Sequence, residues 1–188
     1  LPTGGGKSIC FQVPALATEG ICLVVSPLIA LMKDQVENLK NRGIKAAAIH
    51  SGMHPREIEL AINNAVFGDL KFLYVSPERL ESDTFRDNLM RMNINLIAVD
   101  ESHCISQWGY DFRPPYLKIA DIRPLVKNAP VLALTATATP MVVEDIQEKL
   151  NFVQKNVILK SFERKNLSYV VFHEEDKGGR LLKIFNNV

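Results

Sequence analysis

Thr3-Gly4-Gly5-Gly6-Lys7-Ser8, followed by Ile9-Cys10-Phe11-Gln12-Val13, is the stretch on which the fold turns. Consecutive glycines free the backbone to point its N–H groups inward, and the helical run after them adds the partial positive charge of a helix N-terminus. Such a cradle suits phosphate oxygens. Within it Lys7 would reach the β- and γ-phosphates of a nucleotide, and the Ser8 hydroxyl would ligate Mg²⁺. Thr3, Gly4, Gly5, Gly6, Lys7 and Ser8 are therefore the expected ATP-binding set. The full phosphate-loop pattern asks for Gly five residues before Gly6, where this chain has Leu1. The competing reading, a plain glycine-rich turn, is an unusual use of Gly-Gly-Gly-Lys-Ser before a helix. Pro14 is expected to kink or end that helix.

Outward from this loop, short apolar runs recur at Ile21–Val25, Ala46–Ile49, Phe72–Val75, Leu96–Val99 and Val131–Leu134. Helical periodicity follows most of them. Leu28, Leu31, Met32, Gln35, Val36 and Leu39 share one face of a helix closing at Gly43, and Ile58, Ala61, Ile62, Ala65 and Val66 share another closing at Gly68. A third helix carries Val142, Val143, Ile146 and Leu150. Ser26-Pro27, Ser76-Pro77 and Thr139-Pro140 each place a hydroxyl residue at an expected N-cap with Pro at the first helical position. Apolar strands alternating with amphipathic helices predict an α/β fold, a mostly parallel sheet with helices on both faces. Ligands bind such sheets at the carboxyl ends of the strands.

Leu96-Ile97-Ala98-Val99 runs directly into Asp100-Glu101 at that edge. Asp100 is expected to bind Mg²⁺ through water, and Glu101 to orient and deprotonate an attacking water. With Lys7 these two form the expected catalytic set. A solvated acidic pair at a strand end is common on its own; the phosphate loop is what singles this one out.

Asp100-Glu101-Ser102-His103 resembles the DExH box of superfamily-two helicases. The segment Ser106-Gln107-Trp108-Gly109-Tyr110-Asp111-Phe112-Arg113-Pro114-Pro115-Tyr116 resembles the aromatic-rich loop of the RecQ family of DNA helicases. Other segments agree in order. Pro2–Ser8 is similar to motif I, Val25–Gln35 to motif Ia, Tyr74–Leu80 to motif Ib and Ala133–Thr139 to motif III. Phe162–Leu167 resembles the family's crossing into a second motor lobe, with Lys165 where Pro is frequent.

The resemblance implies a RecA-like lobe of an ATP-dependent DNA helicase moving 3′ to 5′, with ATP and Mg²⁺ as cofactors and single-stranded or forked DNA as partner. It implies that His103, Thr135 and Thr137 couple hydrolysis to DNA contact. It also implies that Ser26, Lys33, Gln35 and Ser76, in the motif Ia and Ib segments, lie near the strand backbone. The Ser26 and Ser76 hydroxyls are first of all expected N-caps, and a solvated helix face explains Lys33 equally well. Ser51, just past a strand, is either a further backbone contact or part of a simple loop. Trp108, Phe112 and Arg113 are the expected base-stacking and phosphate-pairing residues. Their alternation also suits a half-buried strand or loop packed on its own lobe, and Tyr110 is read as structural. Glu78-Arg79 is a candidate internal ion pair.

The domain reading is a motor lobe over residues 1–161, with its first strand outside the chain, and a linker plus the start of a second RecA-like lobe over 162–188. In that second part Leu167–Phe172 reads as a strand, Asp176–Gly179 as a polar turn, and Leu181 onward as a helix. Both ends fall inside elements, so the chain reads as a piece of something longer. The expected piece holds one wall of an ATP cleft and hydrolyses little by itself, because the charge-stabilising Arg of this family comes from the second lobe.

Composition narrows the rest. The 188 residues are 47% hydrophobic and 23% charged, with a net charge of +1, which excludes disordered, collagen-like and highly charged tail classes. Nothing reads as a signal peptide or membrane span, and the expected localisation is cytoplasmic, nucleoid-associated in a bacterium and nuclear in a eukaryote. Cys10, Cys22 and Cys104 show no CxxC spacing, so they read as small buried hydrophobes with no zinc site. Two other functions stay open from the residues: an RNA-directed superfamily-two motor, and a nucleotide- or DNA-binding module without turnover.

Overall fold

The structure, a computed structural model, describes residues 5–126, 129–160, 167–168, 170–171 and 173–186. Five strands form its sheet: β1 (Ile21–Val25), β2 (Ala46–Ile49), β3 (Phe72–Val75), β4 (Ile94–Val99) and β5 (Val131–Ala133). Their order is β2-β3-β1-β4-β5, and every neighbouring pair is parallel. The helices are α1 (Lys7–Ala17), α2 (Ile29–Asn41), α3 (Pro55–Phe67), α4 (Asp83–Leu89), α5 (Lys118–Ile122), α6 (Pro140–Lys149) and α7 (Lys177–Phe185). The five apolar runs from Ile21 to Leu134 agree with these strands to within two residues at each end.

Alternate side chains of each strand enter opposite cores. Leu23, Val25, Leu73, Val75, Ile97 and Val99 pack with α3, α4, α5 and α6. Cys22, Val24, Phe72, Tyr74, Leu96 and Ala98 pack with Phe11 and Ala15 of α1 and Met32, Val36 and Leu39 of α2. Two-sided burial explains why these strands read as unbroken apolar runs.

Helix α1 runs antiparallel to the strands. Its C-terminal end is pinned at the amino edge of the sheet, where the Asn95 side-chain amide donates to the Ala15 and Thr18 carbonyls, each at 3.2 Å. Eleven helical residues span ~16 Å, close to the ~16 Å from Asn95 to Asp100 along β4. The N-terminus of α1 therefore comes level with Asp100 at the carboxyl edge.

Several local expectations are corrected. Pro14 lies inside α1 and does not end it. The lost hydrogen bond is outweighed because Phe11, Gln12 and Ala15 bury the helix on both sides of the proline. Ser26 is not an N-cap: its N–H still pairs with the Val75 carbonyl at 3.1 Å, extending the sheet, and α2 begins after Leu28. Ser76 stands before Pro77 at a single 3₁₀ segment (Pro77–Glu81) without a side-chain cap bond. Thr139 caps α6 as expected, its hydroxyl accepting from the Val142 N–H at 3.4 Å. Cys10 is exposed, while Cys22 and Cys104 are buried. No ion pair joins Glu78 to Arg79 among the described residues, and Arg79 Nε is buried without a hydrogen-bond partner.

The helix expected from Leu181 starts earlier, at Lys177, so the expected polar turn Asp176–Gly179 is the cap and first turn of α7, with the Asp176 carboxylate accepting from the Gly179 N–H at 3.0 Å. Of the expected strand Leu167–Phe172, the described residues Leu167, Ser168, Val170 and Val171 belong to no strand, and Tyr169 and Phe172 lie outside the described residues. The expected lobe crossing at Phe162–Asn166 also lies outside them. No helix among the described residues is long and apolar enough to cross a membrane.

Gly20 links α1 to β1 with φ +99°, and a Cβ there would stand 2.6 Å from the Asn93 carbonyl oxygen. Gly20→Ala is expected to cost about 2 kcal/mol, lowering the melting temperature by roughly 4–8 °C for a chain of this size. An unchanged melting curve would refute the close approach.

Candidate functional site: phosphate loop, acidic turn and aromatic loop

The described part of the glycine loop begins at Gly5, so Thr3 and Gly4 lie outside the described residues. Gly6 precedes α1 in the left-handed region at φ 78°, and a Cβ there would meet nothing within 4 Å. Its carbonyl accepts from the Ile9 N–H at 3.0 Å, so Gly6 caps the helix and Lys7 and Ser8 are its first two residues. Across the interface with α2, the Gln35 side-chain amide donates to Ser8 Oγ at 2.8 Å, and Gln12 donates to Gln35 Oε1 at 3.2 Å. Gln35 was expected near the DNA backbone. Its place one turn from the buried Met32 instead turns it toward α1.

β4 ends at Val99, and the Asp100 N–H extends the ladder by donating to the Val25 carbonyl at 2.9 Å. Glu101 then turns the chain sharply. It is one of two non-glycine residues with positive φ among the described residues (φ 46°, ψ 45°). Such a conformation costs on the order of 1–3 kcal/mol and persists only where neighbouring structure holds it. Two hydrogen bonds do so on either side: Glu101 N–H to Asp100 Oδ1 at 3.0 Å, and Ser102 N–H to the Leu134 carbonyl at 2.9 Å.

The turn brings the expected coupling residues together. His103 Nδ1 lies 2.9 Å from Thr135 Oγ1 and 3.3 Å from Glu101 Oε2. Thr135 Oγ1 also accepts from the Thr137 N–H at 3.1 Å. One imidazole nitrogen thus touches both the acidic turn and the segment after β5.

Burial and the neighbouring Glu101 charge push the Asp100 carboxyl above its ordinary range, while its bond from the Glu101 N–H and the Lys7 and His103 charges act in the opposite direction. Lys7 is therefore felt at Asp100, as the antiparallel run of α1 requires. Two adjacent carboxylates, one of them desolvated, and a hydroxyl in the first turn of α1 are hard oxygen donors of the kind that suits a divalent cation. The residues present fit Mg²⁺ at a phosphate-bearing nucleotide.

The aromatic loop stands beyond the acidic turn. Trp108 is 70% and Tyr110 96% exposed, while Phe112 and Arg113 are half-buried. The reading of Tyr110 as structural is corrected, since its ring is almost entirely free. Arg113 donates to Asp111 Oδ2 from Nε at 3.0 Å and from Nη2 at 2.9 Å, and Nη1 donates to the Pro27 carbonyl at 3.3 Å. That guanidinium holds Asp111 below the usual carboxylate range. In this structure Arg113 clips the loop to the start of the α2 segment. Sequence reasoning missed the clip, although Asp111 two residues before Arg113 could have signalled it.

The remaining expected DNA contacts divide. Lys33 and Ser51 are exposed. Ser26 and Ser76 are buried, at 1% and 4% exposure, and each N–H is already bonded within the sheet, so neither offers an outward group. Direct contacts join Glu101, His103, Thr135 and Thr137 beside Asp100, the Lys7 charge acts on Asp100, and Ser8 is bonded to Gln35 of α2.

Residues 1–146 match the DEAD/DEAH box helicase family, and the chain belongs to that family. Within it the chain is 48% identical over 178 residues to the ATP-dependent DNA helicase RecQ of Bacillus subtilis (strain 168), covering 94% of this chain and 30% of that protein. It is 43% identical over 171 residues to the ATP-dependent DNA helicase RecQ of Pasteurella multocida (strain Pm70), covering 91% of this chain and 27% of the relative. These relatives bear out the resemblance to the RecQ family and do not favour the RNA-directed alternative. The chain spans less than a third of the length of these two curated relatives. The fold is similar to the helicase domain of Pyrococcus furiosus Hef, with a TM-score of 0.62 and 22% identity over 81% of this chain and 32% of that one.

Proposed function

We propose that this chain is the nucleotide-binding lobe of a RecQ-type, ATP-dependent DNA helicase. The observation that carries the reading is the junction at His103, where one nitrogen contacts both Glu101 and Thr135. A hydrolytic carboxylate wired to a second loop is what a motor needs and a passive binding module does not.

In the proposed mechanism, the Gly5 and Gly6 backbone and the N-terminus of α1 receive the phosphates, and Lys7 neutralises charge on the β- and γ-groups. Ser8 and Asp100 would hold Mg²⁺, which supplies charge neutralisation between those phosphates when bound. Glu101 accepts a proton from the attacking water. His103 receives the change in Glu101 charge and hydrogen bonding and passes it to Thr135, whose hydroxyl also orders the Thr137 N–H. Trp108 and Tyr110 offer exposed rings for base stacking. Closing the cleft over ATP, with the arginine that stabilises transferring charge, is assigned to a second RecA-like lobe.

The test is ATP hydrolysis by the full-length protein with and without single-stranded DNA, together with unwinding of a 3′-tailed duplex. DNA-stimulated turnover that Lys7→Ala reduces by about 100-fold or more is expected. Turnover indifferent to DNA, or untouched by Lys7→Ala, would overturn the proposal.

A further inference from the structure

The carbonyl between Asp100 and Glu101 is not left to solvent. Tyr116 is fully buried in the larger core, and its hydroxyl donates to the Asp100 carbonyl oxygen at 3.0 Å. Burial pushes that phenol well above its ordinary range, so it remains a protonated donor. Tyr116 sits in a 3₁₀ turn (Pro114–Leu117) whose geometry is set by Arg113, because the Tyr116 N–H donates to the Arg113 carbonyl at 2.9 Å. Arg113 is itself anchored, with its N–H bonded to the Cys104 carbonyl at 2.8 Å and its side chain clipped to Asp111 and Pro27. The chain thus leaves the acidic turn, forms the aromatic loop, and returns to hold the turn it left.

The held peptide plane is the one that leads into the left-handed Glu101. Rotation of that plane would swing the Glu101 side chain away from His103, since the φ of Glu101 turns about the bond that follows it. We propose that Tyr116 is a positioning residue for hydrolysis: its hydroxyl locks the Asp100–Glu101 peptide so that the Glu101 carboxylate faces His103 and the reacting water. This rests on the reading of Glu101 as the hydrolytic base.

The test is Tyr116→Phe in the full-length protein, which removes one oxygen and keeps the ring. At saturating DNA, kcat for ATP hydrolysis is expected to fall about tenfold, the equivalent of ~1.4 kcal/mol. KM for ATP, affinity for a fluorescent ATP analogue and affinity for single-stranded DNA are expected to stay within about twofold. A kcat within about twofold of wild type would overturn the proposal. So would a loss of kcat that tracks equal losses in nucleotide affinity and melting temperature, which marks a merely structural bond. If wild type shows no DNA-stimulated hydrolysis, the underlying functional reading fails, and this proposal falls with it. That result is distinct because it appears before any variant is made.

Discussion

Glu101→Gln is expected to leave ATP binding within a few-fold of wild type and to reduce ATP turnover by about 10²–10⁴. The amide keeps the size and planarity of the side chain and can still accept from His103. What it cannot do is take a proton from water. The backbone at Glu101 is already in the left-handed region at φ 46°, and glutamine meets the same steric demand, so the fold is unaffected. Equilibrium titration with a fluorescent ATP analogue and single-turnover hydrolysis would separate the two effects. Turnover within tenfold of wild type would remove Glu101 from its assigned role.

Asp100→Asn is expected to move stability and activity in opposite directions. Burial and the Glu101 charge raise the Asp100 pKa above its ordinary value of 3.8. The folded chain therefore binds this proton more tightly than the unfolded chain. Stability contributed by the protonated form is present below 3.8 and is lost as pH rises from there through the raised value. At neutral pH the ionised carboxylate works against the nucleotide-free fold. Asparagine keeps an oxygen to accept from the Glu101 N–H and removes the charge, so nucleotide-free protein is expected to melt a few degrees higher at pH 7. ATP turnover is expected to fall by about 100-fold or more, since a cation donor is lost. A lower melting temperature would contradict the electrostatic account of this turn.

These two residues were readable because the strand before them is a plain apolar run, and β4 differs from the expected Leu96–Val99 only by starting at Ile94. The same clarity placed β1, β2 and β3, whose side chains enter two cores and carry no polar interruption. What escaped the sequence was finer than periodicity. Apolar spacing can set a helix to within a turn, yet it says nothing of whether Ser26 finishes a strand or starts a helix. Gln35 was visible on the apolar face of α2, but its partner Ser8 is 27 residues away and only packing brings them together. No spacing rule encodes a single left-handed residue such as Glu101. Tyr116 ended the aromatic segment as one more ring, and its hydroxyl acquired meaning only when the chain was seen to double back beneath Asp100. Tyr110 was misjudged because alternating rings suit a buried strand and an open loop alike.

Helix α2 and the segment that leads into it are each tied to a neighbour by one side chain. At its approach the Pro27 carbonyl is held by Arg113, and at mid-helix Gln35 holds Ser8. The aromatic loop and the glycine cradle are thus fastened to one continuous stretch of chain, residues 27–35, the first just before the helix begins and the second at its middle.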